Sequence, residues 1–270
     1  WLNIDQLSFS VEPDFLIAMS DVNLLTLKHC KKKFLWSHSV QTFEKFLRKK
    51  QFFSFFKNKP MLILEGEYHY KTRSILTSFF GKKILKISTD YDFIQTPIDK
   101  NFIPSKKAIF TTRSDRNVDF LIDCWFKIKA NTGNSTLYIN PPYDLNHNHT
   151  KLGIKLRAKG LKKDLINDLI TSRVMLNPGH KGEVFCLAAE EAKNLCLPIV
   201  TMGYGSLYER VEDGVTGFIA NNEQEFADFT IKLLNDDKYY LDFKKNMYLK
   251  RKENNWDFIA NEWIKYFLHD

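Results

Sequence analysis

GEVFCLAAEEA, Gly182–Ala192, is an almost wholly apolar run with a carboxylate near each end. Seven residues separate Glu183 from Glu191. The run follows RVMLNP (173–178), which reads as a strand, and its apolar part reads as a helix packed on a sheet, starting near Phe185. The first turn of a helix presents unpaired N–H groups and the positive end of the dipole, which suits an anion. The backbone of Val184, Phe185 and Cys186 is therefore a candidate phosphate cradle. Were the whole span helical, the two carboxylates would lie ~12 Å apart along the axis. A glycoside hydrolase needs roughly 5 to 9.5 Å. The spacing suits a longer ligand, hydroxylated at both ends with a diphosphate between. The plainer alternative is a solvated Glu183 and a helix whose Glu190 and Glu191 face water.

Outward from this run, short apolar segments alternate with helical patterns, which implies α/β architecture with a mainly parallel sheet. DFLIAMS (14–20), KKFLWSH (32–38), MLILEG (61–66) and KKILKIS (82–88) read as strands. KAIFTTR (107–113), STLYIN (135–140), RVMLNP, LPIVTM (197–202) and GFIA (217–220) read as further strands. VDFLIDCWFKIK (118–129) and LKKDLINDLITS (161–172) have helical spacing. Asn222 and Glu225 form a capping box for the helix that follows them, and WDFIANEWIKYFL closes the chain as another helix. DYDFIQTPIDKNFIPSKK lacks periodicity and reads as a linker, with a boundary near Pro104. The expected organisation is a short or truncated first domain (1–104), a second domain (105–254) and a terminal helix (255–270) crossing back to the first. Ligands of open α/β sheets bind at the carboxyl ends of the strands.

Bulk composition narrows the partners. Lys and Arg exceed Asp and Glu by 40 to 32, a formal charge of +8, which favours an anionic partner or reflects a generally basic surface. Four dispersed cysteines, Cys30, Cys124, Cys186 and Cys196, form no CxxC pair and point to a reduced, intracellular chain. No apolar run reaches the length of a membrane span. The opening WLNIDQLSFS has neither a signal-peptide pattern nor an initiator Met.

GEVFCLAAEEAKNLCLPIVTMGYGSLYERVEDGVTGFIA (182–220) resembles the donor-binding half of retaining glycosyltransferases of the GT-B fold, similar to family 4. Glu183 and Glu191 match the family's E-x7-E pair, and Gly205, Glu209, Asp213, Gly214 and Gly217 fall on later positions of its pattern. TTRSDRNVDFLIDCW resembles the segment in which an Arg and a Lys clamp the donor diphosphate; Arg113 matches the first and Arg116 stands near the second. Both also read as surface arginines. The resemblance implies two Rossmann-like domains and sugar transfer from a nucleotide-diphosphate sugar to a glycan or lipid-linked acceptor, with retention and with no metal or other cofactor. It implies that Glu183 contacts the sugar, that Glu191 holds the ribose, and that His38, after a first-domain strand, lies by the transferred sugar. Val184, Cys186, Ser206 and Thr112 stand where the family has glycines. They keep open an inactive sugar-nucleotide-binding or scaffold protein, and a sugar-nucleotide epimerase is a third reading.

Two other segments carry chemistry-bearing residues. FEKFLRKKQFFSFFKNK (Phe43–Lys59) interleaves Phe with Lys and Arg; it reads as a core-facing helix with a basic edge, or as a contact with anionic membrane at the inner, cytoplasmic face. HNH (147–149) lies in a polar stretch read as a loop. Dispersed basic residues and the lack of a motif argue against nucleic acid.

Overall fold

The structure is a computed structural model and describes residues 13–27, 30–251 and 256–269. WLNIDQLSFS and the Asn254–Asn255 start of the tail lie outside the described residues. The chain divides into two compact units, 1–86 and 87–270, and both are α/β with parallel sheets of Rossmann-like type.

In the first unit, β1 (Phe15–Met19), β2 (Lys32–Trp36), β3 (Met61–Leu64) and β4 (Lys82–Ile84) form a parallel sheet in that order. Its core gathers Ala18, Val22, Leu25, Leu35, Phe46, Phe55, Leu62 and Leu64. The basic aromatic segment is two short helices, α1 (Phe43–Arg48) and α2 (Phe52–Asn58), rather than one. Thr42 caps α1 by accepting from the Lys45 N–H at 3.2 Å, and Lys59, left-handed at φ 45°, ends α2. Phe46 and Phe55 meet in the core at 4.9 Å, while Phe43, Leu47, Phe53 and Phe56 remain exposed. Helix α3 (Glu67–Lys71) follows β3.

The second unit opens with α4 (Tyr91–Gln95), inside the segment expected as linker. Phe93 is buried against Ile109, Leu169 and Met175. The Arg251 guanidinium donates to the carbonyls of Phe93 at 3.1 Å, Ile94 at 2.7 Å and Asn194 at 2.6 Å. Lys244 Nζ reaches the Phe102 carbonyl at 3.0 Å. Residues 87–104 thus pack with the second unit, and the division falls after Lys86 rather than near Pro104. An unpatterned run can still be ordered when other elements satisfy its carbonyls.

The sheet of this unit has six parallel strands: β5 (Lys107–Phe110), β6 (Thr136–Ile139), β7 (Ile154–Leu156), β8 (Val174–Leu176), β9 (Ile199–Thr201) and β10 (Gly217–Ile219), ordered β10-β9-β8-β5-β6-β7. Alternation along the strands feeds two layers. Ala108, Phe110, Leu137, Val174, Leu176 and Val200 pack under α5 (Val118–Thr132), α10 (Glu223–Asn235) and α11 (Asp237–Lys250). Ile109, Met175 and Ile199 pack under α8 (Leu187–Asn194) and Leu169 of α7 (Lys162–Ile170). The three-residue β7 and the whole of α11 have no counterpart in the sequence reading. Asn222 caps α10 as expected, accepting from the Glu225 N–H at 2.9 Å, while Glu225 reaches back to Asn221. HNH begins a helical turn, α6 (His147–Lys151), in which the His149 ring accepts from the Asn146 N–H at 3.3 Å. Helix α12 (Trp256–His269) takes a 2.9 Å hydrogen bond from the Tyr91 hydroxyl to Asp257. Among the described residues no helix is long and apolar enough to cross a membrane.

Candidate functional site

The strand order makes β5 and β8 neighbours although β6 and β7 lie between them in the chain. Their crossovers leave in opposite directions, which opens a crevice beyond their carboxyl ends. Residues 111–117 and 177–186, the loops that follow these strands, hold most of the candidate residues.

Arg113 is largely exposed and pairs with Asp115, its Nε donating at 3.0 Å. That pairing holds the Asp115 carboxyl below the usual range. Arg116 is far more enclosed, with 16% of its side chain exposed. Its Nε lies 3.8 Å from a carboxylate oxygen of both Asp115 and Glu183. Its Nη1 is 2.6 Å from His180 Nδ1. Asn117, left-handed at φ 59°, precedes α5 and donates through Nδ2 to the Gly179 carbonyl. The two loops are thereby tied by Arg116 and Asn117.

The β9 loop, which leads into the short helix α9 (Leu207–Arg210), closes the third side. Gly205 has φ 71°, and a Cβ there would fall 2.2 Å from the His180 carbonyl oxygen. The Ser206 N–H donates to the Glu183 carbonyl at 2.9 Å. The hydroxyls of Thr111, Thr112 and Ser206 are buried and find no partner among the described residues. Buried polar atoms are normally hydrogen-bonded, so unpaired hydroxyls at a crevice mark places for ligand or water.

Helix α8 begins at Leu187, two residues later than the sequence suggests. Cys186 is its N-cap, at φ 62° and ψ 75°, a left-handed conformation that favours glycine. The glycine expected from the resemblance is replaced, yet the backbone shape is the one glycine adopts readily. The Cys186 side chain is buried beside Ala189 and Leu207, accepts a 3.4 Å contact from Asn177 Nδ2, and has its thiol pushed up to about 12 by burial. Val184 and Phe185 are also buried, and the Arg210 guanidinium sits 4.2 Å above the Phe185 ring.

The two adjacent glutamates of α8 part company. Glu190 is buried, with Lys193 Nζ at 2.6 Å and Arg210 Nη1 at 3.5 Å. Glu191 is half-buried on the wall of a cavity of about 710 Å3, with Leu187, Lys162, Leu165, Asp90, Tyr91 and Trp256 among the other walls. Burial, and then the nearby Asp90, raises its carboxyl to about 7. Because residues 183–186 precede the helix, the Glu183–Glu191 span is not one continuous helical ruler.

The structure therefore gathers Arg113, Arg116 and Glu183 at one crevice, with Val184–Cys186 running from it into α8. Glu191 lies further along that helix. His38 belongs to the first unit, where its Nδ1 is 2.6 Å from the buried Glu65 and its ring lies 4.4 Å from Trp36. His69, behind Glu65, keeps a lowered tendency to protonate because it is buried. Sequence reasoning missed His180, Asn117, Asn177 and Gly179. A signal existed: polar residues immediately after a buried strand and before a helix, the place where such sheets bind ligands.

Residues 147–250 match the family model of glycosyl transferases group 1. No curated protein matches the chain. Among solved structures, S. aureus TarM in complex with UDP superposes with a TM-score of 0.72 at 17% identity, over 93% of this chain and 55% of that one. The pneumococcal O-GlcNAc transferase GtfA with UDP and GlcNAc gives 0.69 at 15% identity, over 92% and 54%. Anabaena HepE with UDP-glucose gives 0.70 at 14% identity, over 94% and 78%. The chain spans about half the length of TarM and GtfA. Residues 147–250 are thus similar in sequence to glycosyl transferases group 1, and the chain as a whole shares the α/β fold of these GT-B structures.

Proposed function

We propose that this chain transfers a sugar from a nucleotide-diphosphate sugar to a glycan or lipid-linked acceptor, with retention at the anomeric carbon. The observation that carries this reading is the cationic crevice at the β5/β8 switch point, where Arg116 is held by Glu183 and His180 beside Arg113. As the bond between the anomeric carbon and the diphosphate breaks, negative charge grows on the leaving oxygen. Arg113 and Arg116 neutralise it, and arginine's fixed fork suits phosphate oxygens. The acceptor hydroxyl enters on the face the diphosphate leaves, and the leaving phosphate oxygen takes its proton. The two arginines supply the positive charge, so the proposed reaction uses no resident metal or other cofactor. Glu183 accepts from sugar hydroxyls and Glu191 from the ribose. His38, with Nδ1 against Glu65, orients the sugar or acceptor.

A peripheral contact with anionic lipid at the inner face of a membrane completes the proposal. Phe53 is 84% exposed, and Phe43, Leu47 and Phe56 are exposed with it among Lys45, Lys49, Lys57 and Lys59. Catalytically inactive nucleotide-sugar binding is a second reading, favoured by the side chains of Val184 and Cys186 in glycine positions. Calorimetry with UDP, GDP and their sugars tests the site. Arg116→Ala is expected to weaken nucleotide-diphosphate binding by about 10- to 100-fold, the loss of a charge-assisted pair. Equal binding by the variant would remove the site. Binding without donor hydrolysis or transfer to any of a broad set of acceptors would leave the second reading.

A further inference from the structure

His180 is absent from the resemblance, and the structure fixes which of its nitrogens carries the proton. Two groups approach Nδ1: the Arg116 Nη1 at 2.6 Å and the Gly182 N–H at 2.9 Å. A guanidinium and a backbone N–H only donate. Nδ1 therefore has to be the unprotonated acceptor, and the neutral ring carries its hydrogen on Nε2. The ring is held at both ends of its own loop, since its carbonyl accepts from the Glu183 N–H at 2.9 Å and is approached closely by Gly205. Both hydrogen bonds found for the ring among the described residues go to Nδ1 and none to Nε2, and the loops beside it hold the unpaired hydroxyls of Thr112 and Ser206. The charged groups nearest the ring are Arg116, which touches it, and Asp115 and Glu183, each with a carboxylate oxygen 3.8 Å from Arg116 Nε.

We propose that His180 is a donor-binding residue with two separable roles: Nδ1 positions Arg116, and Nε2–H donates to the diphosphate of the nucleotide-sugar. The inference rests on the glycosyl-transfer reading for its ligand, but not for its tautomer. Arg116 keeps its remaining N–H groups for phosphate, so one histidine aims two neighbouring donors at one anion.

The test combines nitrogen NMR of the 15N-histidine-labelled chain with UDP titration of three His180 variants, of Arg116→Ala and of the Arg116→Ala, His180→Gln double variant. The His180 spectrum is expected to show a pyridine-like Nδ1 and a pyrrole-like Nε2. His180→Ala is expected to lose about tenfold or more in UDP affinity. His180→Asn retains an acceptor oxygen near the Nδ1 position and lacks the distal donor, so it falls between wild type and Ala. His180→Gln places an amide N–H near Nε2 without the proximal acceptor, and adding Arg116→Ala to it costs less than Arg116→Ala costs alone. A hydrogen on Nδ1, or UDP affinity in His180→Ala equal to wild type with the fold intact by circular dichroism, overturns the proposal. Failure of the wild type to bind any nucleotide diphosphate removes the proposed function and the Nε2 role together, whichever tautomer the spectrum shows.

Discussion

Glu190 and Glu191 are neighbours in sequence and meet opposite surroundings. Glu190 faces Lys193 and Arg210, whereas Glu191 faces a cavity and Asp90. With its carboxyl raised to about 7 from an ordinary 4.5, Glu191 holds more protons in the folded than in the unfolded state across that window. Stability from this group is full below about 4.5 and is lost as pH rises through 7. Glu191→Gln is therefore expected to flatten the melting-temperature profile between those values and to gain about 1 to 3 kcal/mol above pH 7. Thermal melts from pH 4 to 8.5 check the direction. Burial likewise pushes the thiols of Cys124 and Cys186 up to about 12 and Cys196 up to about 11. The nucleophile is the thiolate, so these three are expected to resist iodoacetamide at pH 8 until the chain is denatured, as peptide mass mapping will read.

At the scale of elements, the loops beyond β5, β8 and β9 are held by a few contacts that the sequence does not advertise. Gly205 has to let the His180 carbonyl pass at a distance no side chain tolerates. Gly205→Ala is expected to cost about 2 kcal/mol or more, with nucleotide binding lost in the same variant. Chemical denaturation and calorimetry measure the two losses. Arg210 braces the opposite side of the β8 loop, covering Phe185 and meeting Glu190. Lys193 still pairs Glu190 when Arg210 is removed, so Arg210→Leu is expected to cost about 2 kcal/mol rather than the larger cost of an orphaned buried carboxylate. A double-mutant cycle with Glu190→Gln isolates the pair. The strand segments were legible because buried parallel strands are continuous apolar runs between turn residues. The three-residue β7 was not, since so short a run has no period, and neither was α11, whose apolar face is interrupted by lysines.

For the whole molecule, the second unit holds two apolar layers of its own and keeps residues 87–104 by hydrogen bonds from Arg251 and Lys244. A fragment of residues 87–270 is expected to fold alone with a single cooperative melt, whereas a fragment starting at 105 loses Phe93 from the core and melts lower. Circular dichroism of the two fragments decides it, and equal melting temperatures would show that 87–104 adds no stability. The sequence by itself determined the α/β class, the parallel strands and the Glu183–Glu191 segment, because these rest on local periodicity and on residues close along the chain. It also supplied Arg113 and Arg116, with their charge but not their geometry. Only the tertiary structure decided that Arg116 meets His180 and Glu183, that Glu191 is the glutamate at the cavity, and where residues 87–104 belong. Each depends on groups tens of residues apart brought together by strand order, and strand order is set by the packing of two apolar layers rather than by any local run of residues.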